Sequence, residues 1–190
     1  MSTAAVTLVS VVAALGLVNL LLCVGLARRT RQHGEVLAKW AENERRVALG
    51  AHLLEMSGLP AGNPAPAFRA VAVDGREIAS APLAEGEHVV AFFSAECDSC
   101  RDQVPAFLRF VEAYNPDRVL GIVAGDAALG ADIVADLTGR ATVVTEDALG
   151  PVSMAFRVQA FPSFFVVRDG VIAGNAPTVR GLYGAALTAT

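Results

Sequence analysis

Five short apolar runs mark the C-terminal two thirds of the chain: HVVAFFS at 88–94, RVLGIVAG at 118–125, TVVT at 142–145, SFFVV at 163–167 and VIAG at 171–174. Their length, their β-branched and aromatic content and the Gly, Pro and Asp residues around them predict strands. Between the first two runs, Val104, Phe107, Leu108, Val111 and Tyr114 recur at i, i+3, i+4, i+7 spacing. That stripe predicts a helix starting near Cys97 with one face buried on the sheet. Alternation of strands with helical segments predicts an α/β fold, a central sheet flanked by crossover helices. Asp169-Gly170 stands between the last two runs, a two-residue turn signal that makes those strands antiparallel neighbours.

The pattern upstream is different. Ala4 to Ala27 carries no charge over 24 residues, which as a helix spans roughly 36 Å, enough to cross a hydrocarbon core. A single-pass transmembrane anchor is predicted within residues 1–30, with the membrane contact at 4–27. A cleaved signal peptide fits less well, because no positive n-region precedes the run and it exceeds the usual apolar length. Cys23, preceded by Leu22, reads as a small apolar residue of the span. Residues 31–56 are rich in helix formers, with Leu37, Trp40, Val47, Ala51 and Leu54 near helical spacing. They predict a juxtamembrane helix, and Glu44 in the stripe favours a solvated spacer over a coiled coil. SGLPAGNPAPAF at 57–68 predicts a linker, leaving 69–190 as the folded domain. A hydrophobic content of 54% and a mean hydropathy of +0.48 agree with a lipid-embedded part.

Charge narrows the partners. From residue 57 onward there are nine arginines, no lysine and fifteen acidic residues, a balance of −6, which argues against nucleic acid. Arg28, Arg29 and Arg31 follow the span directly, and taken alone they put the domain on the cytoplasmic side.

Two of the three cysteines lie in SAECDSCRDQ, residues 94–103. A dithiol redox centre needs an accessible thiolate and a second thiol near enough to resolve a mixed disulfide, and CxxC at a helix start supplies both. Cys97 is then the nucleophile, favoured by the helix N-terminus, and Cys100, one turn in, the resolving thiol. Half a zinc site and two small buried thiols are the other readings. A structural zinc wants four Cys or His ligands, whereas the domain adds only His88. A copper site with a downstream histidine and a covalent haem, which needs His where Arg101 stands, also lack residues. No metal or cofactor is expected.

VVAFFSAECDSCRDQVPAF resembles the active-site strand and helix of thioredoxin-like proteins, Pro105 following the second cysteine by five residues. AFPSFFVVRDGVIAG, residues 160–174, is similar to the later part of that family. With the apolar N-terminus, NPAPAF and the DG of VAVDGREI, the chain looks like the membrane-anchored TlpA, ResA and MauD group. The resemblance implies a thioredoxin-like fold, a cis Phe161-Pro162 bond with Pro162 facing the dithiol, and a thiol–disulfide oxidoreductase. It implies protein thiol or disulfide substrates, a separate electron donor and an extracytoplasmic domain, against the arginine count. Partner maturation and reduction of apoprotein thiols are both functions within the group.

Four positions depart from the pattern: Glu96 in place of Trp, Asp98-Ser99 between the cysteines, Gln103 in place of Glu, and Ala91 in place of a buried Asp. Glu96 and Asp98 flank Cys97 with negative charge, only part of it offset by Arg101, so the sequence predicts a disfavoured thiolate and a reducing or weakly poised couple. With both acidic proton acceptors gone, Asp102 is the nearby substitute. The departures also support a second reading, a thioredoxin-like scaffold with a structural disulfide. A peroxiredoxin-like peroxidase is the third, disfavoured because no Pro and Thr precede Cys97 in a peroxidatic arrangement.

Overall fold

The computed structural model describes residues 16, 17, 19, 20 and 56–187. Contacts divide the chain at residue 49/50, and the first unit contributes only those four helical residues. All but those four residues of the expected span, and all but Met56 of the juxtamembrane helix, lie outside the described residues. Among the described residues no helix is long and apolar enough to cross a membrane.

The second unit is built on a five-stranded mixed sheet in the order β5-β4-β3-β6-β7. Its strands are β3 (Glu87–Ser94), β4 (Val119–Ala124), β5 (Thr142–Glu146), β6 (Ser163–Arg168) and β7 (Val171–Ala176). The first three run parallel, β6 and β7 antiparallel, and Asp169 and Gly170 turn between them with φ of 47° and 77°. All five strands match the apolar runs to within two residues at each end. A small antiparallel pair, β1 (Arg69–Val71) and β2 (Glu77–Ala79), lies beside β5.

Side chains alternate across the pleat of β3, and this sorts the core into two layers. Val89, Ala91 and Phe93 face α1 (Asp98–Val111), α2 (Ala131–Leu137) and α4 (Val179–Leu187), while Val90 and Phe92 face α3 (Pro151–Phe156). On β6, Phe164 joins the first layer, 5.7 Å from Phe93, and Phe165 the second, 5.6 Å from Phe92. Both faces of β3 are thus covered, which explains a near-continuous apolar run in place of an alternating one.

Residues 57–68 are not a free linker. Gly62 N–H donates to Ile172 O, Ile172 N–H to Asn63 O and Ala65 N–H to Gly170 O, each within 2.9 Å, so the segment lines the outer edge of β7. Leu59 N–H donates to Phe156 O and Ser57 is buried. The prolines that suggested a linker suit an edge segment, which needs only alternate donors.

Candidate active site

The site is assembled where β3 ends and α1 begins. Cys97 is the N-cap residue, with extended φ and ψ of −106° and 107°. Its side chain makes no capping hydrogen bond of ordinary length. The N–H groups of Ser99 and Cys100 at the start of the helix nonetheless favour negative charge on its sulfur. Cys100 is fully buried under the first layer, its sulfur accepting from Ser94 N–H at 3.4 Å. Both thiols are free. Pro105 lies inside α1, which runs unbroken to Val111.

Partial burial of Cys97 pushes its thiol up. Hydrogen bonding from the Cys100 and Ser99 side chains, with the two backbone N–H groups, outweighs that and holds it below the ordinary cysteine value. Burial pushes Cys100 far up, and its role as donor to Cys97 adds to this. The two thiols are therefore split in acidity, Cys97 the more readily deprotonated and Cys100 held protonated. The expectation of a disfavoured Cys97 thiolate is corrected, because the flanking carboxylates are turned elsewhere.

Glu96 folds away from the sulfur. Its Oε1 accepts from Asp126 N–H at 3.2 Å and its Oε2 from the Ser94 hydroxyl at 3.1 Å. These bonds, the Asp126 N–H first, hold its carboxyl below the usual range. Asp98 is wholly exposed and its carboxylate lies 3.9 Å from the Arg101 guanidinium. Arg101 ties the motif down: it donates to Asp132 Oδ2 at 2.7 Å, to Ala95 O at 2.9 Å and to Leu129 O at 2.7 Å. Glu96 and Arg101 thus clamp the β4–α2 loop from two sides of the CxxC motif.

Phe161-Pro162 is cis, and the loop it forms lies against the motif, with the Cys97 thiol donating to Phe161 O over 3.7 Å. Pro162 is buried just ahead of β6. Gln103 is drawn out of the chemistry: its Oε1 accepts from Val179 N–H at 3.1 Å, meeting one of the orphan donors at the start of α4. Asp102 is exposed on α1. Ala91 is buried in the first layer, so no carboxylate lies beneath Cys100 at that position. His88 is buried at the far end of β3 from the cysteines, its Nε2 paired with Glu85 O at 3.1 Å.

The sequence reading missed Ser99, whose hydroxyl oxygen lies 3.0 Å from the Cys97 sulfur. Its position two residues past the N-cap was the available signal, since that residue stands beside the capping side chain. Asp126 and Asp132 were also missed, because their pairing crosses about thirty residues. A cleft of about 740 Å³ opens at the carboxyl ends of β4 and β5, lined by Val71, Asp126, Glu146 and Leu149 among others. Neither cysteine lines it.

No family model matches the chain, and no curated protein matches it in sequence. Solved structures do. The thioredoxin domain of a thiol-disulfide oxidoreductase from Bacteroides vulgatus matches with a TM-score of 0.58 and 18% identity, over 68% of this chain and 97% of that one. A thiol:disulfide interchange protein of the thioredoxin family from Chlorobium tepidum matches at 0.54 and 21% identity, over 69% and 97%. A secreted disulfide oxidoreductase of Mycobacterium tuberculosis, homologous to E. coli DsbE, matches at 0.51 and 26% identity, over 64% and 95%. The sheet order, the helix-capping dithiol and the cis-proline loop, taken with these likenesses, establish that the chain has a thioredoxin-like fold.

Proposed function

We propose that this protein is a membrane-tethered thiol–disulfide oxidoreductase acting on protein disulfides. The observation that carries the reading is the split of the thiol pair, Cys97 at the helix cap with its acidity raised and Cys100 buried and held protonated. The Cys97 thiolate attacks one sulfur of a substrate disulfide; that bond breaks, the departing sulfur leaves as a thiolate and takes up a proton. Cys100 then loses its proton and attacks Cys97 Sγ, the Cys97–substrate bond breaks, and the substrate leaves as a dithiol. Two electrons have passed to the substrate, and a separate donor restores the Cys97–Cys100 pair. With Ala91 and Gln103 in place of carboxylates, the proton of Cys100 passes to water or to the departing sulfur.

The solved likenesses described as oxidoreductases support the redox reading. The uncharged run at 4–27 supports the tether, which raises the local concentration of membrane-bound partners. The resemblance to the TlpA, ResA and MauD group supports an extracytoplasmic domain and a role in maturing a partner protein there. Arg28, Arg29 and Arg31 are the counterweight. Insulin reduction driven by dithiothreitol tests the chemistry. The full chain is expected to accelerate it, Cys97→Ser to abolish the acceleration, and Cys100→Ser to accumulate a mixed disulfide visible on a non-reducing gel. A Cys97→Ser variant as active as the parent would overturn the reading in favour of a scaffold.

A further inference from the structure

We propose that Ser99 is a catalytic residue of this dithiol: its hydroxyl donates to the Cys97 thiolate, holding that sulfur charged as nucleophile and stabilising it as leaving group. The inference rests on the oxidoreductase reading and names a residue of that same site. The two atoms are 3.0 Å apart. While Cys97 is a thiol either group can donate, but once it is a thiolate only the hydroxyl carries a proton. The bond then becomes charge-assisted, and an interaction stronger in one protonation state favours that state.

Among the described residues Ser99 shares this task with the Cys100 thiol. Phe161 O, on another side of the sulfur, accepts only from the neutral S–H and so favours the thiol. Asp98 is turned to solvent beside Arg101, and the Arg101 guanidinium is taken by Asp132, Ala95 O and Leu129 O. Cys100 holds a proton towards Cys97 in the resting dithiol, yet must give it up when it attacks. When it does, Cys97 is held in the mixed disulfide and carries no charge, so Ser99 and Cys100 act together on the Cys97 thiolate of the resting dithiol. In the opposite direction of transfer the same contact serves departure. A second substrate thiolate attacks the substrate sulfur of the mixed disulfide, the bond to Cys97 breaks, and its electron pair returns to Cys97 Sγ, where the hydroxyl meets it. Ser99 is exposed, so water competes for the sulfur and the effect is moderate.

The test is the pH profile of Cys97 alkylation by iodoacetamide in the full chain, carrying Cys23→Ser so that Cys97 and Cys100 are the remaining thiols. Ser99→Ala is expected to raise the midpoint by about 0.5–1 pH unit, slowing alkylation below it by roughly 3–10-fold. Ser99→Thr, which restores a hydroxyl, is expected to return the midpoint to within about 0.3 unit of the parent. A Ser99→Ala profile superimposed on the parent, or a Ser99→Thr profile shifted as far as Ser99→Ala, would overturn the inference. The readout needs no protein substrate. A hydroxyl-dependent midpoint in a chain that does not reduce insulin would therefore sustain the contact and count against the oxidoreductase reading, whereas insulin reduction with a hydroxyl-independent midpoint would overturn the contact alone.

Discussion

The approach to Cys97 depends on a side chain that is missing. Gly125, where β4 gives way to its loop, has φ of +110°, and a Cβ there would lie 2.5 Å from Glu96 Oε2 and 2.8 Å from Oε1. Glycine thus lets the Glu96 carboxylate lie flat against the backbone and bond Asp126 N–H, which keeps its charge off the nucleophile. Gly125→Ala meets two obstacles at once. The Glu96 carboxylate can swing away, but the backbone conformation is one that L residues rarely adopt, at a cost of about 1–3 kcal/mol. Urea unfolding is expected to register a loss of that size, and a loss below about 0.5 kcal/mol would show that the loop adapts. The same residue explains what was legible in the site. CxxC spacing and the proline at 162 disclose the helix-capping dithiol and the cis-proline loop against it, because both depend on local chain geometry. The aim of Glu96 was not legible, since a glycine and an N–H some thirty residues away set it, and the sequence alone placed that charge beside the sulfur.

Between elements, one polar cluster fixes the end of the active-site helix. The Tyr114 hydroxyl, just past α1, donates to Glu87 Oε1 at 2.6 Å, and Arg168 of β6 donates to the other oxygen of Glu87, the first residue of β3. Burial pushes the Glu87 carboxyl up, but the Tyr114 and Arg168 bonds prevail and hold it below the usual range. Burial and the bond to Glu87 push the Tyr114 phenol up, so it remains a donor at any physiological pH. Because the folded pKa of Glu87 is depressed, its contribution is present above the unfolded value and fades as pH falls through the folded one. Tyr114→Phe is expected to cost about 1–2 kcal/mol at pH 7, as for a hydrogen bond to a charged group on a partly exposed carboxylate. The cost should shrink at acid pH, as pH falls through the depressed pKa of Glu87. A cost that stayed constant from pH 7 to pH 3 would mean that ring packing, and not the Glu87 bond, supplies the stability. Elements were legible to the degree that their burial was one-sided or complete. The five sheet strands and α1 stood out, whereas α3, six residues long and opened by Pro151, gave no period to read. The segment at 57–68 misled because its role is to cover an edge, and edge-covering chain uses the same Pro and Gly as a linker.

For the whole molecule, the compartment that Cys97 faces sets the resting redox state and thereby the direction of electron flow. The domain itself is compatible with either side: its acidic balance of −6 speaks to partners and not to topology. Two sequence features oppose each other. Arginines directly after the uncharged run favour a cytoplasmic domain, and the resemblance to the TlpA, ResA and MauD group favours an exported one. The uncharged run at 4–27 holds one cysteine, Cys23, and so no pair to relay electrons; an exported domain would then depend on a donor that reaches it. Intact cells carrying the Cys23→Ser chain, treated with a membrane-impermeant alkylating reagent, separate the cases. Labelling of Cys97 without permeabilisation is expected, stronger after mild reduction because an exported pair awaiting its donor rests in part as the disulfide. Cys100, buried and held protonated, should lag behind Cys97 in the folded chain. Labelling that appears only after permeabilisation would place the dithiol in the cytoplasm, where glutathione and thioredoxin keep thiols reduced. The proposed role in maturing exported partners would then fall, while the Cys97 and Cys100 chemistry would still describe a reductase of cytoplasmic protein disulfides.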